Sequence, residues 1–382
     1  MTFSAIAAGI VAALAGFAGS IAVVLAAAQA LHATPAETIS WITAIAAATA
    51  ATTALLTLRY RIPITTAWST PGAAVIAASA GVAMPQAIGA FLVAGGLIVA
   101  TALIRPLGRL VERIPLPVAS GLLAGVLLRF VLATFESLVA RPLLVAPLIA
   151  LFFVVRLWSA AAAALIVMIA GVAWSSVLGL APSGLGFTLS QVVVTAPVFD
   201  PTVLVSLAIP LYLVTMASQN LAGAAVLRAA GYAVPFNAAL GLTGAASLAI
   251  APFGGHTVNL SAIAAAICTG PDTHPDPARR WPAGISLAIT YAAITLFAGS
   301  LVALFLAYPP ELMRTVAGLA LLTSLVAALA NATAEASLRL PAVLTFAVTA
   351  SGVSLLGIGA PFWGLAAGLA LLGLERVATA RS

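Results

Sequence analysis

The chain has 382 residues, of which 63% are hydrophobic and 6% charged, and its fifteen bases against nine acids leave a net charge of +6. Soluble domains carry roughly 25% charged residues, so a soluble enzyme, a nucleic-acid binder and a disordered chain are excluded as whole-chain readings. At a mean hydropathy of +1.21 the sequence reads as a polytopic, all-α membrane protein with little mass outside the lipid bilayer.

A spanning helix needs about 20 apolar residues. Cutting at Arg, Pro and polar clusters predicts segments at 5–31, 36–57, 64–80, 84–104, 115–134, 141–157 and 160–179. The polar stretch 181–200 follows, and then segments at 202–227, 232–251, 255–269, 283–306, 311–331, 341–358 and 361–375. This makes about 14 spans. The opening MTFSAIAAG has no basic region and reads as the start of the first helix, not as a removed signal. The amphipathic stretch RPLGRLVER (105–113) is expected along the inner interface.

Every base is Arg. With the N-terminus inside and the spans alternating, twelve Arg residues fall in inner loops and only Arg129, Arg141 and Arg314 lie outside or near the outer face. That bias predicts both termini on the cytoplasmic side. Cys268 is the single cysteine, so no intrachain disulfide forms and a structural metal site is not expected.

Two predicted segments are too short and too polar for ordinary spans: TTAWSTPGAAVIAASA (65–80) and GGHTVNLSAIAAAICT (254–269). Each is the third segment of its half. Each reads as an extended polar stretch leading into a half-length, Ala-rich helix. A shift of about 188 residues sets Trp68 against His256, Ser69 against Thr257, Pro71 against Asn259 and Ala73 against Ser261. Pro71 suits the first turn of a helix, with Ser69 or Thr70 as its cap and Thr257 as the cap of the other. Paired interrupted segments in matching positions point to a transporter's binding site. Two helix N-termini at that depth, each carrying about half a positive charge, make an anion site without a buried Arg.

The stretches AWSTPGAAVIAA (67–78) and GGHTVNLSAIAAAICTGPDTHPDPARRW (254–281) resemble the signature segments of the benzoate:proton symporter family, BenE. The resemblance covers essentially the whole chain. It implies the fold shared with nucleobase/ascorbate and sulfate-type transporters, a 7+7 inverted repeat with a short strand plus half-helix at spans 3 and 10. The repeats are then 1–180 and 201–382. In space, a core domain takes 1–104 and 201–306, and a gate domain takes 105–180 and 307–382. Substrate is expected between spans 3 and 10, with help from spans 1 and 8. A homodimer is compatible with the resemblance.

The candidate substrate-binding residues are Trp68, Ser69, Thr70, Pro71, Gly72, Gln219, Asn220, His256, Thr257 and Asn259, with Gln29 as a weaker candidate. Trp68 suits stacking on an aromatic ring or simple packing. Gln219 and Asn220 suit a carboxylate, or hydrogen bonding between helices. Asn259 suits substrate orientation or helix capping. His256 is the only His inside a predicted span, and no Asp or Glu lies mid-span, so it is the candidate for proton coupling. A carboxylate bound beside it favours the charged imidazole, and linkage makes that effect reciprocal. The proton can instead travel on the carboxylic acid.

Other residues read as structural. Gly16 and Ser20 form a small-residue face for close packing. Arg129 reads as snorkelling to the outer interface. Asp272, His274 and Asp276 read as Pro-rich loop chemistry more readily than as a metal cluster. The expected function is proton-coupled uptake of benzoate or a similar aromatic monocarboxylate, with no cofactor and no nucleic-acid partner. Another small anion is the alternative substrate. An anion channel lacks the expected charged ring or Gly-rich filter. A Ser69/His256 hydrolase lacks an acid partner and a G-x-S-x-G elbow. No G-x-x-x-x-G-K-[ST] motif supports an ATP-driven pump.

Overall fold

Long runs of Ala, Leu, Val and Ile leave the backbone no water partner in a bilayer, and a helix pairs every N–H and C=O within one segment. The computed structural model describes residues 3–79, 81–104, 106, 115–182 and 187–379. In it the first half of the chain forms α1 (Phe3–Ala30), α2 (Pro35–Tyr60), strand β1 (Thr66–Trp68), α3 (Thr70–Ala77), α4 (Met84–Leu103), α5 (Leu116–Ala140), α6 (Pro142–Arg156) and α7 (Ala160–Val177). The second half forms α8 (Pro201–Ala229), α9 (Phe236–Ile250), strand β2 (Val258–Leu260), α10 (Ala262–Thr269), α11 (Pro282–Ala307), α12 (Pro310–Thr333), α13 (Arg339–Ser351) and α14 (Ala360–Thr379). Among the described residues, eight helices are long and apolar enough to cross a membrane. The molecule is a multi-pass membrane protein.

The predicted segments match these elements closely, with three differences. Helix α5 runs on past residue 134 to Ala140. Helix α13 ends at Ser351, because Gly352 takes φ +68° and closes it with a left-handed cap. The segment predicted over 341–358 therefore finishes in a tight turn, with Leu355 bridged to Ile358. Helix α8 is not uniform: Leu204–Ala208 and Thr215–Asn220 are π-helical. The amphipathic stretch 105–113 lies, apart from Pro106, outside the described residues.

Helix α5 packs along α12 and α13, α13 along α14, and α6 along α7. Elsewhere α2 and α1 both pack on α11, and α4 packs on α9. The polar stretch before α8 is extended and stitched to its neighbours, with Val193 N–H donating to Ser40 Oγ (2.8 Å) and Val198 N–H to the Pro85 carbonyl (2.9 Å). The small-residue face of α1 serves close packing, as the sequence suggests. Ser20 Oγ donates to the Gly16 carbonyl (2.6 Å), and Gly16 lies under the Tyr291 hydroxyl of α11.

The α1–α11 crossing is tightest at Gly9, where an added Cβ would meet Ser286 Cβ at 2.7 Å and Leu287 N at 2.8 Å. Backbone cannot yield locally, so Gly9→Val is expected to destabilise the protein by about 1–3 kcal/mol. Thermal unfolding in detergent should show this as a lower Tm. Gly96→Ala, where a Cβ meets nothing within 4 Å, should leave Tm unchanged or raise it.

Candidate functional site

The two broken segments meet in a single two-stranded antiparallel ladder. Thr66 stands opposite Leu260, Ala67 opposite Asn259 and Trp68 opposite Val258. The ladder extends one step at each end, with Ser69 N–H donating to the Thr257 carbonyl and Ser261 N–H to the Thr65 carbonyl, both at 3.0 Å. Each strand leads through a serine into an eight-residue helix. Ser69 Oγ caps α3 by accepting from Gly72 N–H (3.0 Å), and Ser261 Oγ caps α10 by accepting from Ala264 N–H (3.3 Å).

This corrects the expected alignment. Ser69 and Ser261 are 192 residues apart, as are Thr66 and Val258, so the units repeat with a shift of 192 and not 188. The cap of α10 is Ser261, not Thr257. Asn259 sits in the strand and does not cap the helix. Its Nδ2 donates to the Leu260 carbonyl (2.8 Å), while its buried Oδ1 has no partner among the described residues.

His256 is fully buried. Trp41 Nε1–H, from α2, donates to His256 Nδ1 at 2.9 Å. Indole nitrogen is a donor only, so Nδ1 carries no proton and Nε2–H donates to the Ser69 carbonyl (3.0 Å). Both ring nitrogens are occupied in one neutral tautomer, and a proton can reach Nδ1 only if Trp41 leaves it. Trp41 and Phe91 also pack their rings on the imidazole, at 5.6 and 6.4 Å between centroids. His256 touches the backbone of Ser69 and not its hydroxyl, which removes the Ser–His pairing a hydrolase needs.

The π-helical stretch of α8 holds the ladder from one side. Thr215 Oγ1 donates to Ser69 Oγ (3.1 Å), and Thr257 Oγ1 lies 2.9 Å away as its donor. Asn220 Oδ1 accepts from Leu260 N–H (3.0 Å). Asn220 thus ties α8 to the backbone of strand β2, and not to another helix. Its neighbour Gln219 is half-buried, and its amide has no partner among the described residues. Thr70, in the first turn of α3, is likewise half-buried with its hydroxyl unpaired among the described residues. This stretch of α8, like α3, packs against α5.

Pro71 and Gly72 are buried in the first turn of α3. A Cβ on Gly72 would meet Leu211 Cδ1 at 2.6 Å and Ser69 Oγ at 2.8 Å, so glycine is required beside the cap. Trp68 is buried, edge-on to Phe17 and Tyr291 with centroids at 6.1 and 5.5 Å, and its Nε1 has no partner among the described residues.

Gln29 does not join this cluster. It lines a separate cavity of about 380 Å³ between α1, the far end of α3, α5 and α12, together with Arg129 and Arg314. Among the inner-loop residues, Asp276 caps a short helical turn, His274 Nδ1 accepts from Asp276 N–H, and Arg280 donates to the carbonyls of Thr269, His274 and Pro275. That is the loop chemistry expected of them. Trp41 and Thr215 are not among the candidates drawn from the sequence, because their partners lie far along the chain. Trp41's position in a span, away from the interface where Trp usually sits, was the available signal.

Compared with known proteins, the chain matches the family described as benzoate membrane transport protein over residues 1–374. It is 38% identical over 371 residues to the inner membrane protein YdcO of Escherichia coli (strain K12), covering 94% of this chain and 93% of that one. It is 35% identical over 370 residues to the benzoate membrane transport protein of Acinetobacter baylyi, covering 96% and 94%. Among solved structures it superposes on the transmembrane domain of a cyanobacterium bicarbonate transporter, BicA, with a TM-score of 0.60 at 15% identity, covering 97% and 98%. It superposes on SLC26A9 with a TM-score of 0.64 at 14% identity, covering 98% of this chain and 66% of that one. These two likenesses show a shared fold.

Trp41→Phe leaves His256 Nδ1 buried without a donor, a loss of about 1–3 kcal/mol. A lower Tm is expected in detergent, while Trp158→Phe, at a site 78% exposed, should leave Tm within error of the parent.

Proposed function

The chain belongs to the benzoate membrane transport protein family, and on that premise we propose that this membrane transporter carries benzoate or a similar aromatic monocarboxylate inward with a proton. The observation that carries the proposal is the pair of strand–serine–half-helix units, 192 residues apart, meeting in one buried ladder. They support a 7+7 inverted repeat of 1–180 and 201–382. The packing of α1, α2, α4, α9 and α11 among themselves, and of α5 with α12 and α13, supports a core of 1–104 and 201–306 against a gate of 105–180 and 307–382. Transport is then a rocking or elevator movement of core against gate. The twelve-to-three Arg distribution supports both termini on the cytoplasmic side of the cytoplasmic (inner) membrane.

In this reading the substrate lies where α3 and the π-helical stretch of α8 meet α5. Thr70 and Gln219 offer it their unpaired groups, and the N-terminus of α3 offers its partial positive charge. Trp68, Ser69, Pro71, Gly72, Asn220, Thr257 and Asn259 shape that surface. Thr215 belongs with them, since it ties both units together. His256 is the proposed proton site. Its charging displaces Trp41 and acts on the carbonyl of Ser69, the residue that caps α3. Proton and carboxylate thus bear on the same turn of backbone, which supports a coupled cycle.

The test is labelled benzoate uptake into proteoliposomes under an imposed pH gradient, wild type beside His256→Ala. Wild type should accumulate benzoate until the gradient is collapsed, and the variant should keep benzoate exchange but lose accumulation. Accumulation intact in the variant would move the proton elsewhere, including onto the acid itself. No uptake of benzoate by vesicles that carry another anion would reject the substrate.

A further inference from the structure

The cavity that holds Gln29 is separate from the ladder. Its walls are the last turns of α1, residues Ala77 and Ala78 at the end of α3, the second half of α5 and the first turns of α12. Ser69 caps one end of α3 and the cavity touches the other, roughly 12 Å away along eight residues. Its volume, about 380 Å³, falls in the range of small-molecule sites. The lining is mostly apolar, with Phe130, Met313 and Pro310 among the larger side chains. Three polar groups break it: Arg129, Arg314 and Gln29.

Neither guanidinium has an ion pair or hydrogen bond among the described residues. An acid is close at hand, since Glu311 sits three residues before Arg314. That carboxylate pairs instead with Arg141, at 3.1 Å. Arg129 stands roughly three turns inside the end of α5. A cation unpaired at that depth is disfavoured unless it has a function. Its guanidinium is nevertheless positioned: a Cβ at Gly352 would fall 2.6 Å from Nη1 and 2.8 Å from Cζ. The group therefore rests against the C-terminal cap of α13, where a helix attracts positive charge. Among the described residues that line the cavity there is no carboxylate.

We propose that this cavity is a second binding site, an entry vestibule in which Arg129 and Arg314 hold the carboxylate of an aromatic monocarboxylate while the apolar wall takes its ring. Gln29 supplies a further donor. Guanidinium suits this task because it binds a carboxylate through paired, parallel hydrogen bonds. With α1 and α3 on one side and α5 and α12 on the other, the occupant bridges the proposed core and gate. The vestibule lies at the end of α1 remote from the N-terminus, the outer side in the orientation proposed above. This inference rests on the aromatic-acid reading of the central site.

The experiment is initial-rate benzoate uptake in phosphatidylcholine proteoliposomes, for wild type, Arg129→Gln, Arg314→Gln and the double variant. Each single variant should raise KM about tenfold with Vmax within twofold of wild type. Arg129→Lys and Arg314→Lys should recover part of the loss. Elution as a single species in size-exclusion chromatography checks that each variant is folded. Wild-type transport with KM unchanged in the variants would overturn the vestibule and leave the central site standing. A fall in Vmax at constant KM would make the arginines structural and overturn it too. Repeating the series with phosphatidylglycerol present covers an anionic lipid headgroup: a KM effect confined to those vesicles would assign the arginines to lipid. Absence of benzoate uptake by wild type would reject the central reading and this one together.

Discussion

An extended strand inside a membrane leaves alternate amides facing away from its partner, and no water is there to meet them. The ladder of β1 and β2 has only two strands, so both of its edges carry this cost. Side chains from three helices meet it. Thr53 Oγ1 of α2 accepts from Thr66 N–H (3.0 Å), Ser247 Oγ of α9 from Val258 N–H (2.8 Å), and Asn220 Oδ1 of α8 from Leu260 N–H. The ladder ends are closed by Ser69 and Ser261, which also start the two half-helices. Much of the surrounding structure can be understood as what brings those acceptors into place. The Thr-rich face of α2 is one case: Thr52 and Thr53 both bond to the Thr66 hydroxyl.

In a low-dielectric interior a satisfied polar network is rigid, and each unsatisfied group is costly. Two buried polar atoms of the ladder itself lack partners among the described residues, Trp68 Nε1 and Asn259 Oδ1. One is a donor and the other an acceptor. The half-buried groups that remain free, on Thr70 and Gln219, lie at the edge of the frame where α8 and α3 approach α5. A rigid frame with its free hydrogen-bonding capacity gathered at a contact between helix groups suits a site that must open and close without being rebuilt.

Much of this was legible in the sequence. Hydrophobic runs bounded by Arg and Pro mark helices because the bilayer admits no other continuous backbone. Pro71 and Gly72 after Ser69 mark the start of α3, since proline needs no donor in a first turn and glycine leaves room for the cap. The sequence also places the second unit, but four residues out of register. Matching Trp68 to His256 paired the bulky residues, whereas the two units correspond through Ser69 and Ser261. Asn220 reads as polar and deep, but its partner is a backbone amide forty residues on, which no local pattern reveals. The Trp41–His256 bond joins residues of different halves in the same way. Arg129 reads as snorkelling because the hydrophobic run ends at 134 in the sequence, whereas the helix continues to Ala140 and leaves Arg129 deeper.

The π-helical stretch of α8 also bears on chain length. Such a stretch is an α-helix with one residue too many. In an α-helix, residues five apart lie about 140° round from each other. Where the backbone bonds i to i+5, they fall on the same face. Thr215 and Asn220 are five apart, and together they serve both strands, one at the Ser69 end and the other at Leu260. Loss of one residue between them would leave them four apart, which an ordinary α-helix keeps on one face, about 40° from each other, so Asn220 would still turn toward β2. This stretch can therefore give up a residue that the regular parts of α8 cannot, since a loss there would turn everything beyond it by about 100°.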